Sequence, residues 1–192
     1  MAEPLAQEIT EFWIGAGPEA WYRPDDDFDA EIRARFGTAW QGAAAGAMDH
    51  WINAAPTALA LMILMDQFPR NMFRADPRAF ATDAKVLGLA KDALEMGHDL
   101  SIQEPERQFF YLPFMHSEDL ADQTRAIELI ETRMPQTGQG NVIHARAHAE
   151  IIRRFGRFPY RNADLGRDMT AEEQAFLDAG GYGSVLRSLQ ES

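Results

Sequence analysis

ALALMILMDQFPRN, residues 58 to 71, is an apolar run that ends abruptly in Asp66, Gln67, Phe68, Pro69, Arg70 and Asn71. A helix apolar on every side has to be surrounded by protein, so the run reads as the centre of the core. Its polar end is the informative part. Pro69 disfavours helical geometry at Phe68 and is expected to stop the helix there. Asp66 then lies in a last turn, where the helix dipole disfavours negative charge, and an arginine is expected beside it. Arg70, Arg153, Arg157 and Arg161 are the candidates.

Outward from this run the chain is punctuated by proline, glycine and capping residues. Pro56 opens the central helix at the first-turn position. Before it, residues 4–14 form a short amphipathic helix carrying Leu5, Ile9, Phe12 and Trp13, closed by Gly15, Gly17 and Pro18. Phe28, Ile32, Phe36 and Trp40, spaced four apart, mark one face of a helix over 28–42, with Asp26 or Asp27 as its cap. After it, Asp76 and Pro77 start a helix that runs to about Met96, and Pro105 starts a shorter one that Pro113 ends. Ser117 is the expected cap of a helix to Met134, and a further helix runs over 141–155 to Gly156. Thr170 with Glu173 matches the capping box of a last helix, and residues 182–192 read as a frayed tail. No segment alternates as a strand does. The class is therefore all-α, a single domain over 1–192 in which short connections make neighbouring helices antiparallel.

Composition excludes several functions. The net charge of -12 and pI near 4.8 disfavour nucleic acid and anionic lipid as partners. With no cysteine, disulfides, thiolate metal sites and a cysteine nucleophile are ruled out. The start, MAEPLAQEITEFW, has no signal-peptide pattern, and no apolar run reaches the ~18 residues of a membrane span. A cytoplasmic protein with no membrane partner is the expectation. Lys85 and Lys91 are the only lysines, so arginine carries nearly all the positive charge; its planar fork suits carboxylates and phosphates, although a GC-rich genome gives the same bias.

The phrase FPRN at 68–71 recurs as FPYRN at 158–162, which suggests a repeated helix-end structure in two halves of the molecule. His144 and His148 share a helical sector with Ile151, Ile152 and Phe155, so both are expected to point inward. They could form a metal pair with His116 or Glu118, but no HExxH glutamate and no third ligand at fixed spacing accompany them, and no metal is assigned. His116, Ser117 and Glu118 read first as a helix cap with acidic first-turn residues, and second as general acid-base groups bordering a pocket. Arg153, Arg154, Arg157, Arg161 and Arg167, interleaved with Phe158 and Tyr160, form the dense basic patch, which serves either internal pairing or the grip of an anion.

LALMILMDQFPRNMFR, RQFFYLPFMHSEDLADQ and HAEIIRRFGRFPYRNADLGR, followed by TAEEQAFL, together resemble the bacterial domain-of-unknown-function family 924 over about residues 12–181. The resemblance implies an all-helical, tetratricopeptide-like arrangement of helix pairs and no established reaction or cofactor. The tetratricopeptide sequence pattern itself, with its period of about 34 residues, is absent. Two functional readings follow. In the first, the polar helix ends meet in a small pocket between the halves that binds a small anionic ligand. Asp66, Gln67, Arg70, Asn71, Arg157, Arg161 and Asn162 line it, and His116, Glu118, His144 and His148 supply proton chemistry if the ligand is turned over. In the second, the protein is a helical-repeat module for a protein or peptide partner, those residues only lock helix ends, and an apolar groove drawing on Trp21, Tyr22 or Trp51 faces solvent.

Overall fold

The computed structural model describes residues 3–191, and among them there is no strand. The all-α chain forms two compact units, Met1–Pro113 and Phe114–Ser192. The first contains α1 (Pro4–Tyr22), α2 (Asp26–Ala44), α3 (Ala55–Met62), α4 (Phe68–Met72) and α5 (Asp83–Glu95). A short helix, α6 (Leu112–Met115), spans the boundary. The second unit contains α7 (Leu120–Arg133), α8 (Gln139–Phe155), α9 (Ala171–Asp178) and α10 (Gly181–Gln190).

The central run is buried continuously from Ala58 to Pro69, as an all-apolar helix requires. Pro69, however, does not end it. Ile63–Gln67 forms a π-helical turn, in which the Phe68 N–H reaches the Ile63 carbonyl, and the chain passes straight on into α4. The wider turn makes room for the proline ring, which a regular turn would drive against the carbonyl four residues back. That carbonyl, on Met65, loses its i+4 backbone donor because Pro69 has no N–H. The Thr82 hydroxyl donates to it at 2.6 Å. Thr82 stands just before α5 and makes no cap to its own helix, and the segment expected as one helix from Pro77 is broken here into a 3-10 turn, Pro77–Phe80, and α5.

Aromatic rings fill the rest of this unit. Trp13 lies 5.6 Å from Phe68, 5.9 Å from Phe28 and 6.2 Å from Phe109, and Phe36 lies 4.8 Å from Phe68. α1 breaks at Gly17, whose φ of 80° and ψ of 168° are not helical, so the glycine cluster ends its first stretch as expected, and a second helical stretch follows to Tyr22. The kink leaves the Trp13 carbonyl to the Trp21 indole N–H at 2.6 Å. Trp21 and Trp51, proposed as exposed, are core residues, as are Trp13 and Trp40; Tyr22 alone of the expected patch is exposed. The cap of α2 is Asp25, one residue before those expected, accepting from the Asp27 and Phe28 N–H groups.

In the second unit α8 packs against α7 and α10 around Ala147, Ile151, Ile152, Phe158, Phe176 and Val185. The expected frayed tail is helical over Gly181–Gln190, because Val185, Leu186 and Leu189 present an apolar side to that core. Gly180 and Gly181, with φ of 99° and 51°, supply the reversal that brings α10 back. Gly156 ends α8 in the left-handed conformation, and the Thr170–Glu173 capping box is present. Asp119, rather than Ser117, caps α7.

Thr82→Val should cost about 1–3 kcal/mol in urea unfolding, since it takes the hydroxyl donor away from a buried carbonyl. Pro69→Ala restores an N–H to that carbonyl, so the double variant should lose less than the two single losses combined; strict additivity would disconnect Thr82 from the proline.

Candidate functional site

In the second unit the FPYRN phrase is anchored by two arginine–carboxylate forks. Arg157 grips Glu173, with its Nη2 2.8 Å from Oε2, and also donates to the Asp168 carbonyl at 2.8 Å. Arg167 grips Glu118 at 2.7 and 3.0 Å, and Glu118 also accepts the Phe158 N–H at 2.8 Å. Burial raises the Glu118 pKa, but the Arg167 fork and the Phe158 N–H outweigh it and hold the carboxyl below its ordinary value. The Arg157 fork, with the Thr170 N–H, takes Glu173 down to about 2. Arg157 and Glu118 are thus committed to fixed partners within this unit.

Between these forks the chain turns through Pro159–Arg161, a 3-10 turn that directs Arg161 inward. The Arg161 guanidinium is 4.5 Å from the centre of the buried Phe158 ring and donates to the His116 carbonyl at 3.2 Å. With 6% of its surface exposed, this is a buried positive charge. His148, on α8, places its ring edge-on to Phe158 at 5.2 Å and to Tyr182 at 5.3 Å, and lies 6.4 Å from the His116 ring. Its Nδ1 is 3.0 Å from the Met115 carbonyl. A carbonyl can only accept, so Nδ1 carries the proton and Nε2 keeps its lone pair. Burial, followed by the positive surroundings of His116 and Arg161, takes the His148 pKa down to about 3.

His144 departs from the expected inward pair. It is exposed, one turn before His148, and bonds the Tyr182 hydroxyl through Nδ1, while partial burial lowers its pKa. Tyr182 is pushed up to about 12 by desolvation. Asn162 is fully buried and reaches the Met169 sulfur at 3.5 Å.

Two participants went unnoticed in the sequence. Gln123 donates to the Met115 and Ser117 carbonyls at 2.7 and 2.6 Å, which fixes the loop that carries His116. Its signal was a polar residue at the i, i+3, i+7 stripe with Ala126 and Ile130. Tyr182 lay in the segment read as tail.

The first phrase belongs to the other unit. Asp66 is fully buried and has its arginine: Arg70 Nη1 is 3.4 Å from Oδ1, and the Gln67 amide donates to Oδ2. Arg70 also donates to the Asp66 carbonyl at 2.6 Å and grips Asp83 with both terminal nitrogens at 3.0 Å. Asn71 donates to buried Asp29 at 2.7 Å, beside Arg74, and these three border a cavity of about 520 Å³. The echo of the two phrases does not extend to the backbone. Phe68 is helical at φ -58°, ψ -39°, whereas Phe158 is extended at φ -90°, ψ 107°.

Elsewhere in the second unit α7, α8 and α10 border a shallow groove of about 640 Å³ with Leu120, Ile127, Val185 and Leu189 on its apolar lining and Arg153 and Arg154 at its edge. No group of three or more His, Asp or Glu residues able to hold a metal occurs among the described residues. No described helix is long and apolar enough to cross a membrane.

The profile of the family described as "Bacterial protein of unknown function (DUF924)" matches residues 9–181. The chain belongs to this family. Among solved structures, this DUF924 chain is similar to the protein of unknown function ATU0120 from Agrobacterium tumefaciens. The two are 43% identical over 92% of this chain and 98% of that one, with a TM-score of 0.87. No curated protein matches.

The Glu173 carboxyl gives the fold a pH dependence of known sign. Its folded pKa is depressed, so its contribution is present above the unfolded value and is lost as pH falls towards about 2. The stability gap between the native chain and Glu173→Gln, measured by urea unfolding, should therefore be widest at neutral pH and narrow from about pH 5 to about pH 3. A gap independent of pH would show that the charge of the fork is immaterial.

Proposed function

We propose that this DUF924 protein binds a small anionic ligand at the Phe158–Arg161 turn, with His116 and His148 beside it. The observation that carries this reading is the buried guanidinium of Arg161, laid on the Phe158 ring at 4.5 Å and donating to the carbonyl of His116. In a chain of net charge -12, a local concentration of positive charge attracts anions. Arg161 supplies a permanent charge held in place by Phe158. Arg157 and Glu118 hold the frame, because their forks are already matched to Glu173 and Arg167. If the ligand is turned over, His116 is the group placed to move a proton, since His148 stays neutral down to about pH 3.

A second reading, docking of a protein segment, is supported by the groove along α7, α8 and α10, whose apolar lining suits the apolar face of an amphipathic helix. Leu189→Asp would abolish such docking and leave anion binding at Arg161 intact.

Thermal-shift measurements with phosphate, pyrophosphate and small carboxylates test the first reading. A ligand at about 100 times its Kd adds about 2.7 kcal/mol to the native state. For a chain of this size each kcal/mol raises Tm by about 2–4 °C. Arg161→Gln should abolish the shift. Arg157→Gln should lower Tm yet preserve the response, because its fork belongs to Glu173. The proposal fails if no anion raises Tm, or if Arg161→Gln responds as the native chain does.

A further inference from the structure

We infer that the cavity of the first unit binds a short peptide as a zwitterion, with its ammonium end on Asp26 and its carboxylate end on the outer edge of the Arg33 guanidinium. This site is separate from the anion-binding reading at Arg161, which belongs to the second unit.

The cavity, of about 520 Å³, is lined by three arginines, Arg33, Arg74 and Arg78, and three aspartates, Asp26, Asp29 and Asp76. Two of each are matched to one another. Arg74 grips the buried Asp29 through Nε and Nη2, and Arg78 grips Asp76 through the same two nitrogens at 2.9 and 2.8 Å. Arg33 sets that edge against a neutral group instead, the Met72 carbonyl, at 3.1 and 2.6 Å. Its charge therefore has no carboxylate partner among the described residues, and the edge formed by Nη1 and Nη2, which suits the two oxygens of a carboxylate, is left to a ligand. Held at Met72, the guanidinium is in place before a ligand arrives.

Asp26 is the acid left over. Asp25 takes the cap of α2, so the Asp26 carboxylate is not spent on the N–H groups of its own helix, and no described basic side chain forms an ion pair with it. It stands by the same cluster: the Arg74 pKa is raised by the Asp29 fork, against the opposing effect of burial, and further by the charges of Asp29 and Asp26. Asp26, Asp29 and Arg33 follow the i, i+3, i+7 spacing and share one face of α2, the outer two about 10.5 Å apart along its axis. An extended tripeptide, at about 3.3–3.6 Å per residue, has that reach. A single amino acid, with one carbon between its charges, does not. Because the arginines and aspartates of the lining balance, a plain anion gains no net field here and has Asp26 against it, whereas a ligand with both charges answers both ends. Ala75, between Arg74 and Asp76, is held at φ 55°, a conformation that residues with a side chain rarely adopt, and strain of this kind collects at ligand sites.

The test is titration calorimetry of the full chain with triglycine, N-acetyl-triglycine, triglycine amide and glycine. Triglycine should bind. Each of the others lacks the ammonium, the carboxylate or the span, and should bind at least about tenfold more weakly, as the loss of a charged hydrogen bond requires. Asp26→Asn removes charge from a side chain that holds nothing else in the fold, so it should keep the native Tm and reduce triglycine binding to that of the acetylated peptide. Arg33→Lys keeps a positive charge and a donor for Met72 but not the paired edge, and should weaken triglycine to a similar extent. Arg161→Gln should bind triglycine as the native chain does. No triglycine binding, equal binding of the blocked peptides or of glycine, or binding that depends on Arg161 and not on Asp26 would overturn the inference and leave the anion reading to its own test.

Discussion

A single missing N–H shapes the middle of this molecule. Pro69 sits inside a continuous buried helix and cannot donate to Met65, so a polar oxygen in the driest part of the chain has to find its hydrogen elsewhere. The π turn and the Thr82 hydroxyl resolve this together: the turn relieves the ring clash, and the hydroxyl serves the carbonyl. Because the widened turn runs from Ile63 to Gln67, it also sets where Asp66 and Gln67 emerge, and Arg70 follows to satisfy the Asp66 carbonyl and carboxylate at once. The polar cluster of the first unit is thus a consequence of an unsatisfied backbone group, and its members are bound to one another.

The second unit distributes its charges differently. Two forks, Arg157 with Glu173 and Arg167 with Glu118, tie down the segment after α8 through paired hydrogen bonds of opposite charge, the geometry in which guanidinium and carboxylate match best. Held within that frame is a small set of a different character: a guanidinium lying on an aromatic face, a histidine with its proton committed to a carbonyl, and a second imidazole near it. The first kind of arrangement specifies shape. The second gathers a guanidinium and two imidazoles at one turn, and that difference separates scaffold from candidate site.

Much of this was legible in the residues. The all-round apolarity of 58–65 announced a central buried helix, and the capping signals at Asp76 and at Thr170 with Glu173 marked helix starts correctly. An acid near the end of such a run predicted an arginine at Asp66, and Arg70 supplies it. Pro69 misled because the general rule treats proline as a terminator, whereas here a hydroxyl thirteen residues further on, at position 82, replaces its lost donor; local rules cannot see that. The last helix was missed for a related reason. Gly180, Gly181 and Gly183 look like loop, and only the apolar face of α8 makes a helix through Val185 worth forming. The FPYRN phrase was found, but its likeness to FPRN suggested a shared backbone that the differing torsions at Phe68 and Phe158 do not have. What no spacing rule could supply was the direction of each donor. That His148 gives its proton to Met115 depends on a loop pinned by Gln123, and such second-layer contacts leave no short motif.

The placement of the tryptophans has an optical consequence. Trp13, Trp21, Trp40 and Trp51 are all of the chain's indoles, and every one is packed in the unit that ends at Pro113. Emission excited at the red edge of the absorption band therefore reports on that unit by itself, while far-ultraviolet dichroism sums the helices of both. If the units melt apart, the two signals will trace separate curves; if they melt as one, the curves will superimpose. Nature has left one half of this protein dark, and so the cooperativity of the whole can be read without attaching any label.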